Sequence, residues 1–585
     1  MEDLKKTFTA GLAVLLILLL APYYLQWIGY TEEVVNEGPD GILELNDDIG
    51  VAQDKLITTE HPLLEVGRTI QTSQLIADEP VEEVEFIITT PLYVATISNK
   101  SGGSLNKYTL NNYLGGWNNL AYNDSLNVEL LASNHGGCAP CIVNTLSDVV
   151  LNMPFECVLK NTGNGVVGNS LYLQGDGEAV LECSYSGGYK KQTFFRGDSF
   201  VIEHFIEQEG GDSGLELPLA PISLIWDVGI NNTEKNLYDD ISYSGASVSF
   251  NKEIESVSFI PGNIADKLDL SSYSGSIDWA AIRTKYFILA MIPVDYKIAN
   301  VNIDGKSKYL ASNNVVPKYS MQLDAAPSGT TTQTLHVKGY FGPLDIDQIN
   351  SLETTLDRIM NFGWFVIQPF SRGILWLLKF LHSFGLNYGI ILILFAFLVR
   401  IITGPLTKKS FQSTQKMQAI QPELKKLQEK YKNDSQKLNT EMVKLYREHG
   451  VNPMGGCLPM LLQMPLLFSL FLVFRSTIEF RGAPFVWWIR DLSLPDTIFY
   501  LPFNIPIYGD QVAFLPILLG VSMFLTQKMS MANLDSGGMG QQKYMMYFMS
   551  AFFFLLFNSF PSGLNLYYLI YNILNYLQQK SLKKA

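Results

Sequence analysis

One charge inside an apolar run constrains this chain more than any other feature. From Tyr388 to Leu406 the sequence reads YGIILILFAFLVRIITGPL, and Arg400 is its only ionised side chain. A helix of this length crosses a hydrocarbon core of about 30 Å. An arginine near the middle of such a helix costs about 2.5 to 3.5 kcal/mol or more. That cost is tolerated where the side chain faces a protein interior or a watery cavity, or where it snorkels to the headgroups. Position alone therefore makes Arg400 a candidate functional residue.

Composition divides the chain into two unlike parts. A mean hydropathy of +0.12 over 585 residues is too apolar for an ordinary soluble protein and too polar for a helical bundle alone. Between Tyr30 and Asp357 there are 44 acidic and 18 basic residues, whereas from Arg400 onward there are 10 and 19. An acidic, water-exposed region is thus joined to a basic membrane region. Neither carries the basic excess of a nucleic-acid binder, so no direct DNA binding is expected.

Six segments are candidate spans: Thr7 to Ile28, Tyr388 to Leu406, Gly455 to Phe474, Val512 to Gln527, Tyr544 to Phe560 and Gly563 to Gln578. The first follows Lys5 and Lys6 and lacks an A-x-A-like cleavage site, so residues 1–29 read as an uncleaved signal anchor. Basic clusters at Lys5-Lys6, between Thr407 and Pro453, at Lys528 and Lys543, and at Lys580, Lys583 and Lys584 all fall on one side if both termini are cytoplasmic. The expected organisation is an anchor helix, an acidic linker over 30–84, an exported all-β sandwich over 85–350, an interfacial helix within 351–387, a five-helix core over 388–580 and a short basic tail over 581–585. The interfacial assignment follows from Trp364, Trp376, Arg358, Arg372 and Lys379 interleaved with apolar residues. Pro459, Pro465 and Pro516 are expected to interrupt hydrogen bonding within spans.

The exported region is expected to be β because alternating runs such as Ser199 to Glu207 are punctuated by Gly, Asn and Asp clusters. Four of the five cysteines, Cys138, Cys141, Cys157 and Cys183, lie there. An oxidising compartment favours structural disulfides, and all three pairings remain open. Cys138-Ala-Pro-Cys141 also has the spacing of a redox motif, although a thioredoxin-like βαβ context is lacking. A zinc site would have to recruit His135 or His204. No Walker loop, GxSxG element, HExxH or GxGxxG is found, so neither catalytic residues nor a cofactor are expected.

Between Thr407 and Pro453, Met417, Ile420, Leu424, Leu427 and Tyr431 recur at steps of three and four. After Asn433-Asp434-Ser435 the period resumes with Leu438, Met442 and Leu445. This predicts a cytoplasmic helical hairpin over 407–453. Lys425, Lys426 and Lys430 lie among its many basic residues and are candidates for contact with anionic lipid headgroups or ribosomal RNA.

Several separated motifs occur in a telling order. Val399-Arg400 is followed by Gly404-Pro405-Leu406-Thr407-Lys408, Gln421-Pro422, Asn452-Pro453-Met454-Gly455-Gly456-Cys457-Leu458-Pro459 and Gln463-Met464-Pro465. Arg481-Gly482-Ala483-Pro484-Phe485, Trp488-Ile489-Arg490-Asp491-Leu492-Ser493, Gln527-Lys528-Met529 and Phe560-Pro561-Ser562-Gly563-Leu564 continue the series. Residues 360 to 580 thereby resemble the YidC family of membrane protein insertases. Arg196-Gly197-Asp198 and Trp279-Ala280-Ala281 are similar to the periplasmic domain of its Gram-negative members. The resemblance implies a β-supersandwich-like periplasmic domain and a multi-pass protein of the bacterial inner membrane. It also implies a hydrophilic groove, open to cytoplasm and lipid, in which Arg400 attracts a nascent chain. By alignment, Gln463, Gln527 and Tyr568 are candidate groove-lining positions, with Thr403 a polar neighbour of Arg400. Nascent membrane proteins, a Sec translocon, the ribosome and signal recognition machinery, and membrane lipids are the implied partners. Ile401-Ile402-Thr403 and Asn565 depart from the usual wording of the family. A secondary transporter of a small anion and a membrane thiol oxidoreductase are the competing classes.

Overall fold

The computed structural model describes residues 81–585 except 118–121, 132–136, 145–148, 162–167, 187, 210–220, 261–268, 295–297, 310–314, 327–331, 433, 451–457, 506–507, 532–547, 549–550 and 585. The expected anchor helix, nearly all of the expected linker, and much of the Tyr544 to Phe560 segment lie outside the described residues.

Strands run from β1 (Glu85–Thr89) to β20 (Thr332–Pro343) and form a five-, a nine- and a six-stranded sheet. At the centre of the nine-stranded sheet, β17 (Phe287–Pro293) and β11 (Val201–Glu209) both pair with β20 in antiparallel register. Every residue of β17 (FILAMIP) is buried, as an inner strand covered on both faces requires. In β11 burial alternates instead, with Ile202, His204 and Ile206 inward. Trp226, Trp279, Tyr93 and Tyr340 are fully buried and supply much of the core volume.

The four exported cysteines pair as Cys138 with Cys141 and Cys157 with Cys183. The second bridge joins β7 (Glu156–Asn161) to β9 (Glu178–Tyr185), where the two residues stand directly opposite. His204 is enclosed beside Thr193, and burial together with the nearby Lys191 ammonium holds its imidazole well below its usual pKa. His135 lies outside the described residues. Among the described residues no group of three or more His, Cys, Asp and Glu side chains is placed to hold a metal.

Short helices α1 (Leu237–Tyr243) and α2 (Ile346–Asn350) and a 3-10 turn (Thr355–Ile359) lead into α3 (Gln368–His382). Then follow α4 (Tyr388–Ala419), α5 (Gln421–Lys430), α6 (Ser435–Glu448), α7 (Leu458–Ser476), α8 (Phe514–Met531) and α9 (Ser562–Lys584), with residues 551–557 helical between the last two. The segment Tyr388–Met417 is long and apolar enough to cross a membrane, and Gln463–Ser476 and Phe514–Met529 are shorter apolar helices.

Three expectations change. The helix that carries Arg400 does not end at Leu406 but continues through Pro405 to Ala419, so the first arm of the hairpin is partly an extension of the span. Pro459 and Pro516 are the second residue of α7 and the third of α8, where a missing N–H costs no helical bond, leaving Pro405 and Pro465 as the prolines inside helices among the described residues. Val512 and Ala513 belong to a strand, β22 (Gly509–Ala513), paired with β21 (Thr497–Ile505), rather than to the following helix.

The β region is fixed to the helical region by buried charge. Arg481, five residues beyond α7, donates from Nε to Glu234 Oε1 at 2.8 Å, and the two side chains are 4% and 6% exposed. Its other nitrogens donate to the carbonyls of Leu114, Gly115 and Thr233 at 2.8, 3.2 and 3.3 Å. Arg475 pairs with Asp239, which also accepts from Lys285 Nζ at 2.7 Å. Burial alone would raise Asp239, but these two cations bring its carboxyl below the usual range. Lys379 of α3 bridges Asp345 at 3.1 Å and Glu479 at 3.2 Å. Removing one member of a buried pair strands the other charge at a cost of about 3 to 5 kcal/mol. Arg481→Ala should therefore lower the thermal stability of the purified protein markedly, and adding Glu234→Ala should recover part of the loss. Unchanged melting of Arg481→Ala would show that the pair does not hold the two regions together.

Candidate functional site

The seam between α4 and α9 changes character at Arg400. Toward the β region it is apolar, with Leu392, Phe395, Ala396 and Val399 buried and Phe395 packed on Tyr567 at 5.5 Å between ring centroids. The adjoining bundle end is closed by Phe474 stacked on Phe480 at 4.1 Å and by Phe471 against Phe560 at 5.2 Å. Gly563 is required there, because a Cβ would lie 2.4 Å from the Phe474 ring. The connecting loops lock this end. Asp496 Oδ2 accepts from the Leu515 backbone N–H in the first turn of α8 at 2.8 Å and from Trp488 Nε1 at 3.0 Å. Ser562 Oγ donates to the Asp491 carbonyl at 2.9 Å, and Gly563 N–H to the Leu492 carbonyl at 3.0 Å. The loop from Trp488 to Asp496 thus caps two helices.

Beyond Val399 the seam becomes polar. Arg400 is 8% exposed. Its guanidinium donates to Gln578 Oε1 and, at 3.5 Å, to Thr407 Oγ1, and it lies 5.7 Å from the centroid of the Tyr571 ring. Gln578 Nε2 in turn donates to the Gly404 carbonyl at 3.3 Å. Arg400 Nε is buried without a hydrogen-bond partner, and among the described residues no carboxylate forms an ion pair with this cation. On the adjacent surface of α4, Ile401 and Ile402 are 72% and 69% exposed. A buried charge therefore borders an exposed apolar helix face and, among the described residues, is balanced only by dipoles and a ring.

The other expected residues are placed differently. Thr403 sits one turn from Arg400, but its hydroxyl donates to the Val399 carbonyl at 2.8 Å rather than meeting the guanidinium. Tyr568 is buried among aromatics, 5.0 Å from Tyr567 and 5.6 Å from Phe557, with its hydroxyl unpartnered. Gln463 on α7 and Gln527 on α8 are half-buried. Thr407, Tyr571 and Gln578 were not among the site residues expected from the sequence. The only signal was the spacing of Tyr567, Tyr571 and Gln578, four and seven residues apart, which puts them along one face of α9.

In the helical hairpin formed by α5 and α6, Ile420, Leu424 and Leu445 are buried, and Asp434 caps α6 by accepting from Lys437 N–H at 3.0 Å. Lys426 and Lys430 are exposed, with Lys430 Nζ 5.2 Å from the Tyr431 ring. Lys425 lies on α5, and its side chain is outside the described residues. Cys138 and Cys141 are 3% and 0% exposed, so neither sulfur is open to an attacking thiolate.

Comparison with known proteins agrees with the division into two regions. The family model described as the YidC periplasmic domain matches residues 85–377, and that described as the 60Kd inner membrane protein matches residues 380–585. A relative from Chlorobaculum tepidum, named membrane protein insertase YidC, is 34% identical over 504 residues, covering 85% of this chain and 81% of its own. The chain belongs to the YidC family of membrane protein insertases. A second YidC relative, from Chlorobium phaeovibrioides, is 35% identical over 518 residues, covering 85% of this chain and 82% of its own. The solved structure of an active YidC insertase with its first transmembrane domain resolved covers 85% of this chain and 94% of that chain, at 17% identity and a TM-score of 0.34. YidC membership makes this an inner-membrane protein with a periplasmic domain.

Proposed function

We propose that this chain receives nascent membrane proteins at the polar half of the α4 and α9 seam and releases their apolar segments sideways into lipid. The observation that carries the reading is Arg400, a buried cation with no carboxylate partner among the described residues, beside the exposed Ile401 and Ile402. Both chain ends and the hairpin are cytoplasmic in this reading, and the aromatic packing around Phe474 closes the periplasmic end. A client segment bearing Asp or Glu enters from the cytoplasm, takes up hydrogen bonds that Gln578 and Thr407 now hold, and so reaches partway into the membrane. At an effective dielectric near 20, a charge pair about 6 Å apart contributes about 3 kcal/mol before desolvation is subtracted. That is enough to decide the fate of a marginal client and too little to dominate a strongly apolar one. Gln463 and Gln527, half-buried on α7 and α8, contribute polar lining to the same path. Clients arrive either directly or from a Sec translocon.

Two measurements bear on this reading. Arg400→Ala should depress insertion, in proteoliposomes, of a small client whose translocated segment is acidic, and spare the same client with those acids neutralised. Arg400→Lys should retain much of the activity, because a diffuse attractor needs charge rather than a planar fork. Equal impairment of both clients by Ala, with Lys no better, would make Arg400 a structural residue. The exposed basic face of α5 is the proposed contact for the ribosome and signal recognition machinery. Reversing Lys425, Lys426 and Lys430 to Glu should weaken co-translational insertion more than post-translational insertion; equal effects would remove the docking role.

A further inference from the structure

The pair β21 and β22 lies in the loop between α7 and α8, and its exposed surface is apolar. Ile498, Phe499, Tyr500 and Phe503 are 48%, 52%, 60% and 60% exposed, and nearby Trp487 is 87% exposed. Adjacent residues of a strand point to opposite faces, so Phe499 and Tyr500 leave neither face of the pair polar. A two-stranded hairpin is at best marginally stable in water, and this one carries a single ionisable acid, Asp510, between Thr497 and Ala513.

The hairpin is nevertheless held firmly. Asn558, fully buried, donates from Nδ2 to the carbonyls of Tyr508 and Gln511 at 2.8 and 2.6 Å and accepts from Ala513 N–H at 3.0 Å. One amide thus ties the turn and the second strand to the end of the helical run 551–557. Trp487 adopts φ of +54°, a conformation that costs a bulky residue energy. Its ring is left outside, stacked on Trp488 at 5.7 Å. Strain that leaves an indole exposed, and an anchor that fixes an apolar plate, both point to surroundings that are not water.

We propose that Trp487 and the β21–β22 hairpin lie in the periplasmic headgroup region of the bilayer and act as a fixed aromatic anchor for the α7 to α8 end of the bundle. The occupant is lipid for three reasons. First, β22 runs directly into α8 at Phe514, so the hairpin continues a surface already facing lipid. Second, indole, phenol and phenyl rings are the side chains that partition to this depth, where headgroup water still satisfies the edge N–H and C=O groups of a sheet. Third, Pro502 within β21 removes an edge donor, which disfavours addition of a client strand. The inference rests on the reading of α4, α7 and α8 as membrane spans.

The test uses the full-length protein in proteoliposomes, with Cys457→Ser removing the one cysteine outside the two disulfides. Nitroxide labels are placed singly at Tyr500→Cys, Phe503→Cys and Asp510→Cys, with Phe397→Cys on α4 and Lys432→Cys in the cytoplasmic hairpin as lipid and water references. Labels at 500 and 503 should show a ratio of oxygen to water-soluble nickel-chelate collisions several-fold above that at 432 and below that of Phe397→Cys, while 510 resembles 432. Nickel access at 500 and 503 equal to that at 432 overturns the proposal, as does shielding from both reagents, which would mean a protein cover. Nickel access at 397 would instead show that the span reading itself fails, and the proposal with it. Should the labelled variants not fold, quenching of native tryptophan by brominated lipid gives a second readout. Trp487→Phe should remove a large part of that quenching, and no change would overturn the proposal.

Discussion

A buried cation with no carboxylate partner among the described residues sets the terms for the rest of the helical region. Arg400 lies in the middle of α4, and its partners, Gln578, Thr407 and the Tyr571 ring, are all neutral. A structural arginine in a low-dielectric setting is ordinarily matched by a carboxylate, because stranding a buried charge costs several kcal/mol. Here dipoles keep the guanidinium in place without neutralising it. The packing around it follows from that need: α9 must lie close to α4 to bring Gln578 to Gly404, and the exposed Ile401 and Ile402 leave one side of the site uncovered.

The two ends of the bundle are treated in opposite ways. At the end adjoining the β region, Phe471, Phe474, Phe480 and Phe560 fill the interior, and the loops bearing Asp491 and Asp496 tie down the starts of α8 and α9. The Arg481 pair with Glu234 and the Arg475 pair with Asp239 then fix the β region against it. At the other end, α4 runs on past Pro405 into a hairpin with exposed lysines and a thin core of Ile420, Leu424 and Leu445. This contrast between an end packed with aromatic rings and an end with few buried side chains is what the proposed entry of a client from one side requires.

Arg400 was legible in the sequence because a lone charge in an apolar run is costly wherever it lies. The β nature of residues 85–343 was legible from alternation and turn residues, and the helical hairpin from its three- and four-residue period. What escaped were contacts made across long stretches of chain. Gln578, 178 residues from Arg400, reads in sequence as one more polar residue before a basic tail. The β21–β22 pair was hidden because its string of Ile, Phe and Tyr looks like the approach to a span. Pro405 did not end its helix, since a proline within a packed span can be accommodated by its neighbours. Asn565, a departure from the usual wording of the family, has a structural use that the sequence did not reveal: its amide donates to the Phe557 and Phe560 carbonyls at 3.1 and 3.3 Å, holding the turn before α9.

The claim that Arg400 works because its charge is left uncompensated can be tested by supplying the missing carboxylate. In Gln578→Glu the guanidinium gains an anionic partner at the position its neutral one now holds. The account predicts a higher melting temperature together with a loss of insertion confined to clients whose leading segment is acidic. A Gln578→Glu protein that melts higher yet inserts acidic clients as well as the unmodified chain would contradict it.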